Sequence, residues 1–326
     1  MIIQISAELF FSKDNQTLTT LTEIIRILIF DKGTIHIWDN SNFDANLYGS
    51  LINSTWFENF LSKSEQDVVK IYIRKESFFL NEENLHYLRC ENLNSQADLL
   101  SFVAEVSEPS FIILENATND WNFIRGIVRM YTNNKKRKRI YKRLSKAIEN
   151  RSLRPDNAGG LGEMQNRIQS LNEHISYKKL MTLFDSDKKS QEEDLNNSKL
   201  SLISFLKNKN DFEIKWESSD LIVWHMLFKR EMENYIPKEF ILRKHPNAEL
   251  QSNDEQYDYL DIEGFYMNIL NRPKVELPRL FLSDDLKRGQ MEEHCNGELI
   301  KVETPNGTLE PVSEIELILI KLAKII

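Results

Sequence analysis

The chain has 326 residues, 41% hydrophobic and 10% aromatic, with only ten glycines and eight prolines. That length suits two or three domains with a sizeable core, and the composition excludes collagen-like or low-complexity character. Net charge is −8 but uneven: twelve Lys and Arg against one acid between Arg125 and Arg154 give +11, so −8 less +11 leaves −19 on the rest.

In chain order, IIQISAELFF, TIHIWDN and VVKIYIRK read as strands from their β-branched and aromatic content. TLTTLTEIIRILIF carries apolar residues at helical spacing. NSTWFENFLSK is a second helix, capped by Asn53 or Ser54, and SQADLLSFVAEVSE a third with Ser95 as N-cap. Pro109 then breaks the chain. SFIILEN is a continuous apolar run, the mark of a buried parallel strand. NDWNFIRGIVRMY is a helix and NNKKRKRIYKRLSKAIENRS a basic one. DNAGGLGEM is a turn-rich break and MQNRIQSLNEHI a helix. YKKLMTLFDSD is a strand ending on acids, KKSQEEDLNNSK a solvated loop, and LIVWHMLFKREMENYI a strand that ends in polar residues. HPNAELQSNDEQYD reads as a loop, LDIEGFYMNILNR as helical and EIELILIKLAKII as a closing helix, with His294–Cys295 in a loop between them. The expected fold is α/β, a parallel sheet flanked by helices with right-handed crossovers. Three regions follow: a mixed α/β domain at 1–107, a sheet domain at 108–245 with a basic helical insertion at 132–150, and an α/β extension at 246–326.

Two apolar strands stop on carboxylates, Glu115 in one and Asp185 and Asp187 in the other. In parallel α/β sheets, sites form outside the carboxyl ends of the strands. With period two, Asp185 and Asp187 are expected on one side. Neighbouring strands would bring the three acids together, and converging carboxylates call for a hard cation, Mg²⁺ or Mn²⁺. Such a metal polarises a phosphoryl oxygen and acidifies a bound water.

The order of these elements resembles the Toprim fold, shared by topoisomerases, bacterial primases and the OLD-type (overcoming lysogenization defect) nucleases. The matching stretches are IILEN with Glu115, AGGLGEM with Gly159 and Gly160, TLFDSD with Asp185 and Asp187, and HMLFKREMENYI at 225–236. The resemblance spans residues 110–240. It departs from the family where Asn116 replaces a glycine and where Asn119 holds an acid position, with Asp120 one residue later. The resemblance implies that Glu115, Asp185 and Asp187 bind the metals, with Asp120, Glu231 and Glu233 as further ligands or supports. It makes Lys229 a catalytic cation for transition-state charge. Gly159 and Gly160 would let the backbone approach closely. No tyrosine can be matched to a topoisomerase nucleophile, Tyr48, Tyr72 and Tyr87 being merely upstream. Two cysteines cannot build a primase zinc ribbon. The nuclease branch remains, often paired with an ATPase in anti-phage defence. The implied protein is a phosphodiester hydrolase acting on DNA or RNA, silent until infection, with an ATPase partner gripping residues 1–107. A homo-oligomer fits as well. The alternative is a degenerate scaffold or regulatory subunit of a nucleic-acid-binding complex.

Blander readings stand beside these. Asp185-x-Asp187 fits a solvated turn, Asp120 a helix N-cap, and Glu231 and Glu233 an acidic first helical turn. Lys135, Lys136, Arg137, Lys138, Arg139, Lys142, Arg143 and Lys146 fit a phosphate-binding face or a merely solvated one. Tyr131 and Tyr141 among them are candidates for base stacking. His225 fits a core position or one supporting the ligands. Cys90 and Cys295 have no zinc or disulfide spacing, which points to the cytoplasm. The N-terminus has no signal-peptide pattern, and no apolar stretch is long and uncharged enough to span a bilayer. No Walker, GxGxxG or GxSxG sequence occurs.

Overall fold

Continuous runs of Ile, Leu, Met and Phe become the strands that lie in the interior of the computed structural model. It describes residues 2–30, 36–40, 43, 45–76, 90–135, 137–207, 222–246, 254–295, 300–303 and 309–326. Residues group into two units: Met1–Pro109 with Glu149–Ser152 and Ile326, and Ser110–Ile148 with Leu153–Ile325. The predicted extension 246–326 therefore belongs, but for its last residue, to the same unit as the sheet domain.

The first unit holds a three-stranded parallel sheet of β1 (Ile2–Ile5), β2 (Ile37–Asp39) and β3 (Cys90–Leu93), in the order β2-β1-β3. Its core gathers Phe10, Trp38 and Trp56, with the Phe10 and Trp56 rings 4.8 Å apart edge to face. The helix Asn15–Ile25 is capped by Asp14, and Ser54 caps Thr55–Asn59 as expected. Gln96–Ser107 starts with a reciprocal capping box between Ser95 and Asp98. VVKIYIRK is a correction: it lies in the helix Lys63–Glu76. Val69 and Ile73 are buried while Val68 and Ile71 are exposed. That i, i+4 spacing of buried residues is helical.

The second unit is built on a four-stranded parallel sheet: β4 (Ser110–Leu114), β5 (Leu153–Asn157), β6 (Leu180–Phe184) and β7 (Val223–Met226). Their order is β5-β4-β6-β7. Strand β5 falls between the predicted basic helix and the turn-rich break, a stretch the sequence does not mark as a strand. Its polar, proline-bearing LRPDN sits at the sheet edge, where Pro155 costs no ladder bond on the open side. Helices Ala117–Tyr131 and Glu314–Ile325 pack on one face of this sheet. Met164–Asn172 packs on the other and against Asn197–Leu206, whose start was assigned to a solvated loop. An antiparallel pair, β8 (Ile300–Glu303) and β9 (Leu309–Val312), precedes the closing helix.

The chain leaves β4 toward β5 on one side and returns to β6 on the other. The carboxyl ends of β4 and β6 therefore flank a topological switch point, where open α/β sheets bind ligands.

The loop after β7 is tied down from the closing helix. The buried Glu314 carboxylate accepts from the Phe228 amide at 2.7 Å, from His225 Nε2 at 2.9 Å and from the Tyr235 hydroxyl. Lys321 Nζ lies 3.2 Å from His225 Nδ1. Since an ammonium only donates, His225 accepts there and donates to Glu314 through Nε2. Burial, then Lys321, lowers the His225 pKa and keeps the ring neutral. His225 is thus a core residue.

Candidate functional site: an acid cluster at the switch point

Strand β4 ends at Leu114, and Glu115 begins the turn into the helix Ala117–Tyr131. Strand β6 ends at Phe184, directly before Asp185. The two acids meet: the Asp185 amide donates to Glu115 Oε1 at 3.3 Å. Asp185 Oδ1 in turn accepts from the Met232 amide at 3.1 Å. That bond joins the end of β6 to the KREMENY segment, which forms the 3-10 turn Met232–Tyr235.

Asp187 does not follow the period-two expectation, because the strand has already ended. Its φ is +53°, its side chain is 53% exposed, and its amide donates to the Arg230 carbonyl at 3.0 Å. Its carboxylate pairs with Lys199, a residue the sequence reading passed over. Lys199 is 0% exposed and also donates from Nζ to the Asp185 carbonyl at 2.7 Å.

The other acids gather close by. Asp120 Oδ2 accepts from the Asn116 amide at 2.8 Å, so Asn116, not Asp120, caps the helix. Glu231 pairs with Arg230 through Oε1, while its buried Oε2 has no hydrogen-bond partner. Glu233 is 6% exposed. Glu263, from the C-terminal region and not anticipated, joins them with Lys274 as its ion-pair partner.

Electrostatics ties these carboxylates into one cluster. Burial pushes the Asp185 carboxyl well above the usual carboxylate range, and Glu233, Glu115 and Asp120 push it further. Burial also raises Glu115, with Lys199 opposing and Asp187 adding to the shift. Asp120 is raised to about 7, by burial first and then by Glu115 against the pull of the Asn116 amide. Glu231 rises to about 7 and Glu233 to about 8, each from burial and then Glu263. Burial pulls the Lys274 pKa down, but the Glu263 pairing outweighs it and leaves a firmly charged ammonium. Clustered, desolvated groups of this kind mark functional sites more often than ordinary surface.

Other expected site residues lie differently. Lys229 is directed to Asp258 and His294, with its ammonium 3.1 Å from His294 Nε2 and 5.5 Å from the Tyr235 ring centroid. That pairing, not the acid cluster, accounts for its charge. His294 belongs to the helix Arg288–Cys295, not to a loop. Gly159 and Gly160 have φ of +79° and +111°, and a Cβ on either would meet nothing within 4 Å among the described residues. Positive φ in the turn favours glycine at both positions.

Within the basic segment, Arg137 is a correction. It is fully buried, 2.6 Å from Glu316 and 2.8 Å from Glu310, and faces no nucleic acid. Tyr131 and Tyr141 are buried as well, edge to face at 5.4 Å, so neither stacks on bases. Lys135, Lys138 and Lys142 are exposed, while Arg139, Arg143 and Lys146 are half-buried. Lys136 lies outside the described residues.

Among the described residues, no group of three His, Cys, Asp or Glu is drawn together as a ready-made metal site. Glu115, Asp185 and Asp120 each accept from a backbone amide, and Asp187 and Glu263 each pair with a lysine ammonium. Carboxylate oxygens are the ligand type that a hard divalent cation takes, but as placed these acids do not form a site for one. The buried Glu231 Oε2 has no hydrogen-bond partner, and burial among like charges favours the protonated, neutral form of the neighbouring carboxyls. No described helix is long and apolar enough to cross a membrane. No family model, no curated protein and no solved structure matches the chain.

Proposed function

We propose that the chain is a divalent-metal-dependent nuclease hydrolysing phosphodiester bonds of DNA or RNA. In this reading it is the toxic effector of a cytoplasmic anti-phage system, governed by a partner ATPase that docks on residues 1–107. One observation carries the reading: half-buried and buried acids that follow β4, β6 and β7 gather at the sheet's switch point, where the Glu115 carboxylate accepts from the Asp185 amide.

Glu115, Asp185 and Asp187, with Asp120, Glu231 and Glu233, would hold Mg²⁺ or Mn²⁺. The cation supplies a Lewis acid for a phosphoryl oxygen and lowers the pKa of a bound water. The chain's own groups prepare this site. The Met232 and Asp185 amides fix the Asp185 and Glu115 carboxyls against rotation. With pKa values of about 7 and about 8, Glu231 and Glu233 hold or release a proton near neutrality. The exposed ammonium groups of Lys135, Lys138 and Lys142 supply phosphate contacts.

The test is cleavage of plasmid and of tRNA by purified protein with Mg²⁺ or Mn²⁺. Equal cleavage by the wild type and by Asp185→Ala/Asp187→Ala refutes the proposal. A pull-down that retains no ATPase counts against the partner.

A second reading, a catalytically inert scaffold, is favoured by one feature. Lys199 already neutralises Asp187 and contacts the Asp185 carbonyl without any metal. Mn²⁺ uptake that disappears in Glu115→Ala separates the enzyme from the scaffold, which takes up none.

A further inference from the structure

Exposed apolar side chains scattered singly are ordinary, but several gathered on one rigid projection mark an interaction surface. The helix Ile262–Asn268 turns Ile262 and Tyr266 inward and leaves Met267 47% exposed. Just past its end Ile269 is 65% exposed, the highest value for a large apolar side chain among the described residues. Asn271 then reverses the chain at φ +52°, a conformation asparagine tolerates. The 3-10 turn Lys274–Glu276 packs back on the helix and leaves Val275 50% exposed.

The projection is held firmly. The Ile269 amide donates to the Phe265 carbonyl at 2.9 Å, and the Arg272 amide to the Tyr266 carbonyl at 3.2 Å. The buried Tyr266 hydroxyl lies 3.2 Å from His245 Nε2, and Lys274 pairs with Glu263. A fixed backbone thus presents Met267, Ile269 and Val275 to water, so little backbone entropy remains to be lost when another surface covers them.

We propose that Met267, Ile269 and Val275 are the centre of a two-fold contact with a second copy of this chain, in which Arg272 of each copy faces Asp261 of the other. The charges of the rim favour this occupant. A two-fold contact presents the same patch from both sides, so its rim must carry both signs. Asp261 caps the start of the helix and is 53% exposed, while the exposed Arg272 lies at the other end of the projection. A nucleic acid fits worse, because the projection adjoins the acid cluster: Glu263 acts through space on Glu231 and Glu233. Three central side chains make a small contact, with a dissociation constant on the order of 1–100 µM. Self-association through this surface stands whether or not the acids cleave a phosphodiester.

The experiment is sedimentation equilibrium of the full chain in chelator, from ~1 µM to ~1 mM. Wild type, Ile269→Asp, Arg272→Asp and the double variant Asp261→Arg/Arg272→Asp are compared. Wild type should pass from monomer to dimer. Ile269→Asp should weaken association at least ~30-fold, as expected of a central anchor, and leave the melting temperature of the dilute monomer unchanged. Arg272→Asp should weaken it as well, and the double variant should regain it. A wild type still monomeric at ~1 mM overturns the proposal, as does a dimer that Ile269→Asp leaves intact. A double variant as weak as Arg272→Asp alone overturns the charge pairing. Should Ile269→Asp destabilise the monomer, hydrogen exchange of the wild type decides. Amides in 267–275 must gain protection as the protein is concentrated, and protection that does not change while a dimer forms overturns the proposal.

Discussion

Glu233 offers a direct way to measure what the acid cluster costs the fold. It is 6% exposed and its pKa is about 8, against an ordinary value of 4.5. A raised carboxyl pKa means that the native state keeps a proton which the unfolded state has released. Stability is then fully present below about pH 4.5, declines as pH rises, and is lost once pH passes about 8. The difference of 3.5 units corresponds to at most about 5 kcal/mol. Relaxation and water penetration reduce that ceiling. Glu233→Gln keeps the shape and removes the titration. Urea unfolding in chelator at pH 5.5 and at pH 9 should show the variant gaining on wild type by at least ~1.4 kcal/mol at the higher pH, one pKa unit's worth. Added Mn²⁺ should narrow that gap by stabilising wild type. Parallel pH profiles for the two proteins would refute the burial argument.

Four further outcomes can be checked by denaturation or binding. Gly126→Ala should destabilise by ~1–3 kcal/mol, since its Cβ would meet the Phe281 carbonyl oxygen at 2.6 Å. Arg137→Met should cost ~3 kcal/mol by stranding Glu316 and Glu310, read by calorimetry. Lys138→Ala/Lys142→Ala should leave stability within ~0.5 kcal/mol, yet flatten the salt dependence of nucleic-acid binding. Ser95→Ala should cost about 1 kcal/mol by opening the capping box with Asp98, measured as a shift in the urea midpoint.

The acid-tipped strands were legible because burial on both faces leaves an uninterrupted apolar run, and charge can begin only where the strand ends. Glu115 and Asp185 are readable from that edge alone. What depends on tertiary contacts was not readable. VVKIYIRK has the β-branched content of a strand, but its buried Val69 and Ile73 lie one helical turn apart. LRPDN is polar and holds a proline, so only its place at a sheet edge makes it a strand. Lys199 sits in a run of Lys, Asn, Ser and acids that looks solvated, and its burial is balanced by Asp187, twelve residues away. Arg137 looked like part of a phosphate-binding block, yet it is folded inward by Glu310 and Glu316, far along the chain. Glu263 and Glu314 act on the site from a region that carried no motif.

Anomalous scattering from crystals soaked in Mn²⁺ tests the central claim most directly. The account expects a manganese peak bounded by the carboxylates of Glu115 and Asp185. A manganese peak only at remote surface acids, or none at all, would contradict it.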